Sequence, residues 1–417
     1  MRVFKFGGSS VKDTAGIKNL AGIVGKEKGN LAIVVSAFGK ITNALEGVLK
    51  EWRGNDRTWV SSLGKIHEYH TGIVLDLFDK HSQAADLYNF SYETLKLYLE
   101  NNKPAEYDYE YDQIVTFGEI WSTTIVEAYL KESGFNTGWL DIRKLLITDR
   151  RFRDANILWD ESAERICDAF DFSQHDIFVT QGFIAGTLSG ETTTLGREGS
   201  DYSAAIIANI LDAENVIVWK DVQGILNADP KWMPDAVKLT EVSYRDAVEM
   251  TFSGAKVIHP KTIKPLHNKS IPLYVRSFLD TTNEGTVIRQ DITGLEPELP
   301  VYLKKENQIL ISILPKDFSF AMGDNLSRVF HSFLENGIKV NLVQASAISI
   351  NVCVDHEHVK VNTLIDHLKR EYRIIYNDNV EILTIRHYTP EAIGRIVDNR
   401  EILIEQRTRK IVRFVLK

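Results

Sequence analysis

At 417 residues the chain is longer than one core ordinarily organises, so two or three domains of roughly 100–200 residues are expected. With 44% apolar and 25% charged residues it has the make-up of a globular protein, and a net charge of −8 argues against a dedicated nucleic-acid binder, which needs a basic face. Two lone cysteines, Cys167 and Cys353, make neither a disulfide framework nor a metal site and read as free thiols. No secretory signal is visible at Met1, and no apolar run approaches the roughly 20 residues that span a bilayer, so a cytoplasmic protein is expected.

The first 290 residues alternate strand and helix. Val3–Phe6 is a strand that opens into glycines. Asp13 then caps a helix whose Ile17, Leu20, Ile23 and Val24 share one face. Residues 31–38 (LAIVVSAF) form a strand apolar enough to be buried on both sides, and a helix follows from Thr42. Residues 57–102 give two long helices, residues 101–112 a polar turn with Pro104, and residues 117–131 a helix. Residues 176–183, 215–221 and 273–278 are further strands. This order predicts a three-layer αβα sandwich around a mostly parallel sheet.

Residues 295–300 (LEPELP) read as a linker, because two prolines suit neither a helix interior nor a central strand. Beyond it, strand 308–314, helix 324–335, strands 339–344 and 348–354, helix 359–371 and strand 380–386 form a ferredoxin-like βαββαβ unit. Residues 391–417 add a short helix and two strands. They cannot close a core alone and must pair with another segment or another chain.

The chemistry-bearing residues gather where strands end. Lys5 precedes Gly7, Gly8 and Ser9, and such glycines expose amides to phosphate oxygens. The lysine comes before the glycines, so this is no Walker A loop. Ser36 and Thr42 flank a second strand-to-helix passage, where Thr42 also suits a plain helix cap. The segment 192–201 (TTTLGREGSD) sets hydroxyls, Arg197 and Asp201 at a helix start, which suits an anion, and Arg197 suits a carboxylate. Lys220, Asp221 and Lys231 lie in one lysine-bearing stretch and Lys256 in another. Glu119 and Asp201 are the acids of the set. Glycines, hydroxyls and cations without a hydrolytic triad or metal-ligand spacing are the inventory of phosphoryl transfer.

KFGGSS, VVSAFGKITN, FGE (117–119), TTTLGREGSD, WKDVQGILNADP and SGAKVIHP stand in the order and spacing of aspartate kinases. The chain resembles that branch of the amino-acid kinases over residues 1–290, and more loosely through ACT-like units to residue 417. The resemblance implies a catalytic domain over 1–294, an ACT-like domain over 301–387 and a truncated second unit over 388–417. It implies transfer of the ATP γ-phosphoryl group to the side-chain carboxylate of L-aspartate. Lys5 would stabilise the moving group and Asp201 would orient that lysine and its surroundings. Gly7, Gly8, Ser9, Lys220, Asp221, Lys231 and Lys256 would serve the nucleotide. Arg197 would hold the substrate α-carboxylate and Glu119 its ammonium, with Ser36 and Thr42 lining the pocket. Mg2+ would arrive with ATP, held chiefly by phosphates and water, with no protein metal site, and a homodimer through the ACT-like units is expected. Another carboxylate substrate, or a silent amino-acid sensor, are the alternative readings.

Four positions depart from the family's commoner pattern. Glu198 stands where a small residue is usual, Leu226 where an aromatic is, Lys220 for a hydroxyl residue and Lys231 for an arginine. No dinucleotide-binding unit is expected after the ACT-like region. Lysine-sensitive relatives commonly carry aspartate at the position of Asn341, and many carry Gln-Asn at Gln344-Ala345. A weak response to lysine is therefore expected, although backbone groups of the loop could still hold an effector.

Overall fold

The structure is a computed structural model, and it describes residues 1–255, 258–290, 299–317, 319–397 and 399–417. Lys256 and most of the 295–300 linker lie outside the described residues. The chain divides into two compact units. One comprises residues 1–225, 238–248 and 257–293, the other residues 226–237, 249–256 and 294–417.

The first unit is built on an eight-stranded sheet. Its order is Glu241–Ser243, Thr286–Arg289, Leu273–Ser277, Val216–Lys220, Arg2–Phe6, Leu31–Val35, Ile177–Gln181 and Thr137–Leu140. Neighbours run parallel except Leu273–Ser277 against Thr286–Arg289. Every residue of Leu31–Val35 and of Ile177–Gln181 is buried, as a parallel sheet covered on both faces requires. Phe4, Phe6, Ile33, Val35, Val179 and Trp219 join the large core beneath the first helices, and helix Gly199–Ile210 packs on the sheet as well.

Helix Thr14–Val24 forms as its sequence dictates. The Asp13 carboxylate accepts the Gly16 N–H at 2.8 Å, and Ile17, Leu20, Ile23 and Val24 are buried. Two expectations need correction. The strand expected over 31–38 stops at Val35, because Gly39 adopts φ 53° and turns the chain so that its N–H reaches the Gly8 carbonyl at 2.9 Å. The polar turn expected over 101–112 contains the start of helix Tyr107–Val115. Asp108 and Glu110 favour a helix N-terminus, and burial of Asp112, Ile114 and Val115 decides against propensity.

The second unit carries the expected βαββαβ order, in a six-stranded sheet ordered Val340–Ala345, Ile350–Asp355, Val301–Pro315, Tyr372–Arg386, Ile411–Leu416 and Ile402–Arg407. The strands Val301–Pro315 and Tyr372–Arg386 are each 15 residues long, well beyond the spans read from sequence. Their register shifts around Lys305, Gln308 and Leu310, where Asn307 and Asn379 adopt φ 53° and 54°. Each long strand is thus two strands joined at a bulge. The outer halves complete the tail: Glu381–Arg386 pairs with Ile411–Leu416, and Tyr302, Leu383 and Ile385 share a core with Ala392, Val412 and Phe414. The segments that the tail needed come from its own chain.

Candidate active site

The carboxyl ends of the central parallel strands form one wall of a cleft of about 510 Å³ in the first unit. Open α/β sheets bind ligands at this edge. Strand alternation delivers the cations. Phe4 and Phe6 point into the aromatic side of the sheet, where Phe6 stacks on Trp219 with centroids 6.2 Å apart and 5° between planes. Lys5, between them, turns to the opposite face. Its Nζ lies 2.7 Å from Asp201 Oδ1, and Lys220 Nζ lies 3.5 Å from Asp201 Oδ2. Asp201 is 3% exposed. Burial opposes its ionisation, yet the charges of Lys5 and Lys220 prevail and hold its carboxyl below the usual range.

Glycines let the walls close. A Cβ on Gly8 would lie 2.3 Å from the Ala37 carbonyl oxygen, so the Lys5 loop packs directly on the turn after Leu31–Val35. A Cβ on Gly118 would lie 3.0 Å from the Ala37 side chain. That approach brings Glu119, in the first turn of helix Phe117–Glu132, beneath the same turn. Its Oε1 accepts the Ala37 N–H at 3.3 Å, and the Thr42 side chain also bonds it. Burial pushes Glu119 up to about 8, against the pull of these donors and of Lys5.

Arg197 is exposed on the opposite wall, between Gly196 at φ 75° and Glu198 at φ 54°. Glu198 occupies the left-handed region that favours glycine, which gives a physical reason for a small residue at that position. Helix Gly199–Ile210 begins there, and Asp201 lies in its first turn.

Of the residues singled out from sequence, Lys5, Gly8, Ser36, Thr42, Glu119, Arg197, Asp201 and Lys220 line this one cleft. Gly7 adjoins it, since a Cβ there would stand 3.6 Å from Lys5 Nζ. Ser9 and Asp221 are exposed beside lining residues and do not themselves line it. Lys231 is exposed in the second unit, and Lys256 lies outside the described residues.

Tyr111, Arg153 and Phe183 also line the cleft and were not foreseen as site residues, and Thr194, from the segment 192–201 singled out for its hydroxyls, lines it too. Arg153 and Thr194 are tied together by Asp112, which is fully buried. Its Oδ2 accepts the N–H groups of Arg153 and Thr194, both at 2.9 Å, and its Oδ1 accepts the Thr194 hydroxyl at 2.7 Å. Burial pushes Asp112 up to about 6 despite these bonds. The sequence signal was an aspartate within a helical apolar pattern, which reads equally as a solvated turn residue. The cleft thus combines a paired cationic cluster, a buried carboxyl that resists ionisation and two arginines, an arrangement fitted to anionic groups together with one cation.

The amino acid kinase family model matches residues 1–277. The chain is 28% identical over 387 residues to the chloroplastic bifunctional aspartokinase/homoserine dehydrogenase 1 of Arabidopsis thaliana, covering 89% of this chain and 42% of that protein. It thus spans about two-fifths of the length of the bifunctional plant relatives that it matches. It is 30% identical over 357 residues to the lysine-sensitive aspartokinase 3 of Escherichia coli K12, covering 85% of this chain and 78% of that one. The crystal structure of E. coli aspartokinase III in complex with aspartate and ADP matches with a TM-score of 0.84 at 26% identity, covering 100% of this chain and 96% of that one.

Proposed function

The chain belongs to the amino acid kinase family and to the aspartokinases within it, and on that premise we propose that it transfers the γ-phosphoryl group of ATP to the side-chain carboxylate of L-aspartate. The observation that carries this reading is the cleft itself, with Lys5, Asp201 and Lys220 as one cluster and Arg197 and Glu119 on its other walls.

Lys5 neutralises charge that grows on the transferring group, and Asp201 keeps Lys5 and Lys220 aimed at it. Gly7, Gly8 and Ser9 offer the nucleotide the amides of their loop, which the bare Gly8 lets pack directly on the turn at Ala37. Asp221, Lys231 and Lys256 belong to the nucleotide side by family resemblance. The Asp201 carboxylate is already bridged by two lysines, which supports a Mg2+ carried by the phosphates and water over one held by this acid. Arg197 takes the substrate α-carboxylate as a charged, planar donor. Glu119 takes the α-ammonium, whose arrival favours the ionised carboxylate that burial disfavours. Ser36 and Thr42 border the same space. The attacking carboxylate is ionised at neutral pH, so the reaction needs no general base.

We assign residues 1–294 to catalysis and 301–387 with 388–417 to ACT-like regulatory units, and expect a homodimer formed through those units in the cytoplasm. Val340–Ala345 and Ile402–Arg407 end the sheet, each paired with one strand among the described residues, and although the Gln406 side chain donates to the Val343 carbonyl at 2.6 Å, their remaining edge groups support pairing with a second copy. A sedimentation profile of a monomer independent of concentration would remove the dimer. Among the described residues no helix is long and apolar enough to cross a membrane. ADP release measured with L-aspartate and with a panel of other amino acids tests the substrate. Release that depends on aspartate supports the reading, and a preference for another acid replaces it.

A further inference from the structure

Arg153 lines the cleft although it stands in none of the sequence motifs. It lies between strand Ile147–Thr148 and helix Trp159–Ala169. Its φ of 68° falls in the left-handed region that favours glycine. What fixes the backbone there is Asp112, which grips the Arg153 N–H and therefore does not need the side chain. The fold of this loop would be at least as well served by glycine, so the guanidinium calls for a separate explanation.

That guanidinium is held in place. Its central carbon lies 4.4 Å from the Tyr111 ring centroid and 5.5 Å from that of Tyr107. The Tyr107 hydroxyl is in turn anchored on Glu46 at 3.1 Å. Asp108 approaches Arg153 Nη1 at 3.3 Å, but the two side chains are 43% and 51% exposed, so the pair is weak and leaves other donors of the fork available.

Position within the cleft narrows the role. A Cβ on Gly196 would lie 3.1 Å from the Arg153 carbonyl oxygen, so the Arg153 backbone abuts the turn that presents Arg197. Asp112 ties the same loop to Thr194, three residues before Arg197. Tyr111, on whose ring Arg153 lies, also feels the charge of Glu119. The Lys5–Asp201–Lys220 cluster is built by other elements.

We propose that Arg153 is a specificity-determining residue that, with Arg197, grips the α-carboxylate of an α-amino-acid substrate whose ammonium meets Glu119. This assignment rests on the aspartate kinase reading. It leaves Lys5 and Lys220 to the phosphoryl group, and it makes the free α-carboxylate a requirement for good substrates. Two guanidinium groups near one carboxylate supply more charged hydrogen bonds than one fork can.

The test uses Arg153→Gly, which relieves the left-handed backbone and retains the N–H that Asp112 needs. In steady-state assays on the full chain, KM for L-aspartate should rise by about tenfold or more, while kcat and KM for ATP stay within about twofold. Arg153→Lys, which restores a single cation, should recover part of the affinity for aspartate. An unchanged KM for aspartate in Arg153→Gly, or a rise confined to ATP, overturns the assignment while a wild type active on aspartate leaves the kinase reading intact. A wild type that transfers nothing to aspartate overturns both.

Discussion

Lys5 and Lys305, one in each unit, are both drawn out of water and are partnered in opposite ways. Lys5 lies against the carboxylate of Asp201, which Lys220 approaches from its other oxygen. Lys305 instead reaches a neutral amide, with its Nζ 2.9 Å from Asn341 Oδ1. Burial pushes the Lys305 pKa down, and the charge of Lys339 adds to this against the pull of Asp355. The Asn341 amide has no group left over. It is buried, and its Nδ2 donates to Gln308 Oε1 at 2.8 Å and to Asp355 Oδ1 at 3.0 Å. One region holds two cations on an acid in the wall of an open cleft. The other satisfies its polar groups internally, and a cationic effector arriving at Asn341 would meet the Lys305 ammonium.

The largest effect should come from the cleft lysine. Lys5→Ala is expected to lower kcat by about 100-fold or more with little change in KM for aspartate, because its interaction grows in the transition state. A variant with normal kcat would remove Lys5 from the chemistry. Arg197→Ala should weaken aspartate binding by about 1.5–3 kcal/mol, roughly ten- to a hundredfold, and leave ATP binding nearly unchanged. If both affinities fell together, Arg197 would be a phosphate ligand.

Two acids of the cleft carry opposite pH signs. Glu119 has its folded pKa raised to about 8 by burial, so it makes the fold less stable as pH climbs from its unfolded value through 8. Asp201 is held low, so its contribution is present above its unfolded value and is lost as pH falls through the folded one. Glu119→Gln should therefore raise the thermal midpoint at pH 9, leave it nearly unchanged at pH 4, and raise KM for aspartate. Equal midpoints for variant and wild type at pH 9 would show that Glu119 is not strained by burial. The smallest expected effect is regulatory: lysine alone should inhibit weakly. Half-inhibition by sub-millimolar lysine would show that Asn341 and Lys305 leave the effector site intact.

The sequence carried the catalytic cleft further than it carried the second unit. Lys5, Gly8 and Asp201 sit where apolar strands break into glycine or helix, a pattern readable residue by residue. Arg153 was invisible because its place depends on a buried aspartate 41 positions earlier, and no local spacing encodes that bond. The long strands of the second unit were read as half their length, since the bulge at Asn307 and Asn379 interrupts the alternation that marks a strand. Why the tail is closed by those outer halves is a matter of pairing at long range. Helix Tyr107–Val115 was missed because tyrosines and acids next to Pro104 imitate a turn until their burial is known.

The most direct test of the central claim is the trapping of an acyl phosphate. Wild-type protein given ATP, Mg2+ and L-aspartate in the presence of hydroxylamine should yield the aspartyl hydroxamate in step with ADP release, and Lys5→Ala should yield almost none. ADP release without hydroxamate, or equal hydroxamate from Lys5→Ala, would contradict phosphoryl transfer to the aspartate carboxylate at this cleft.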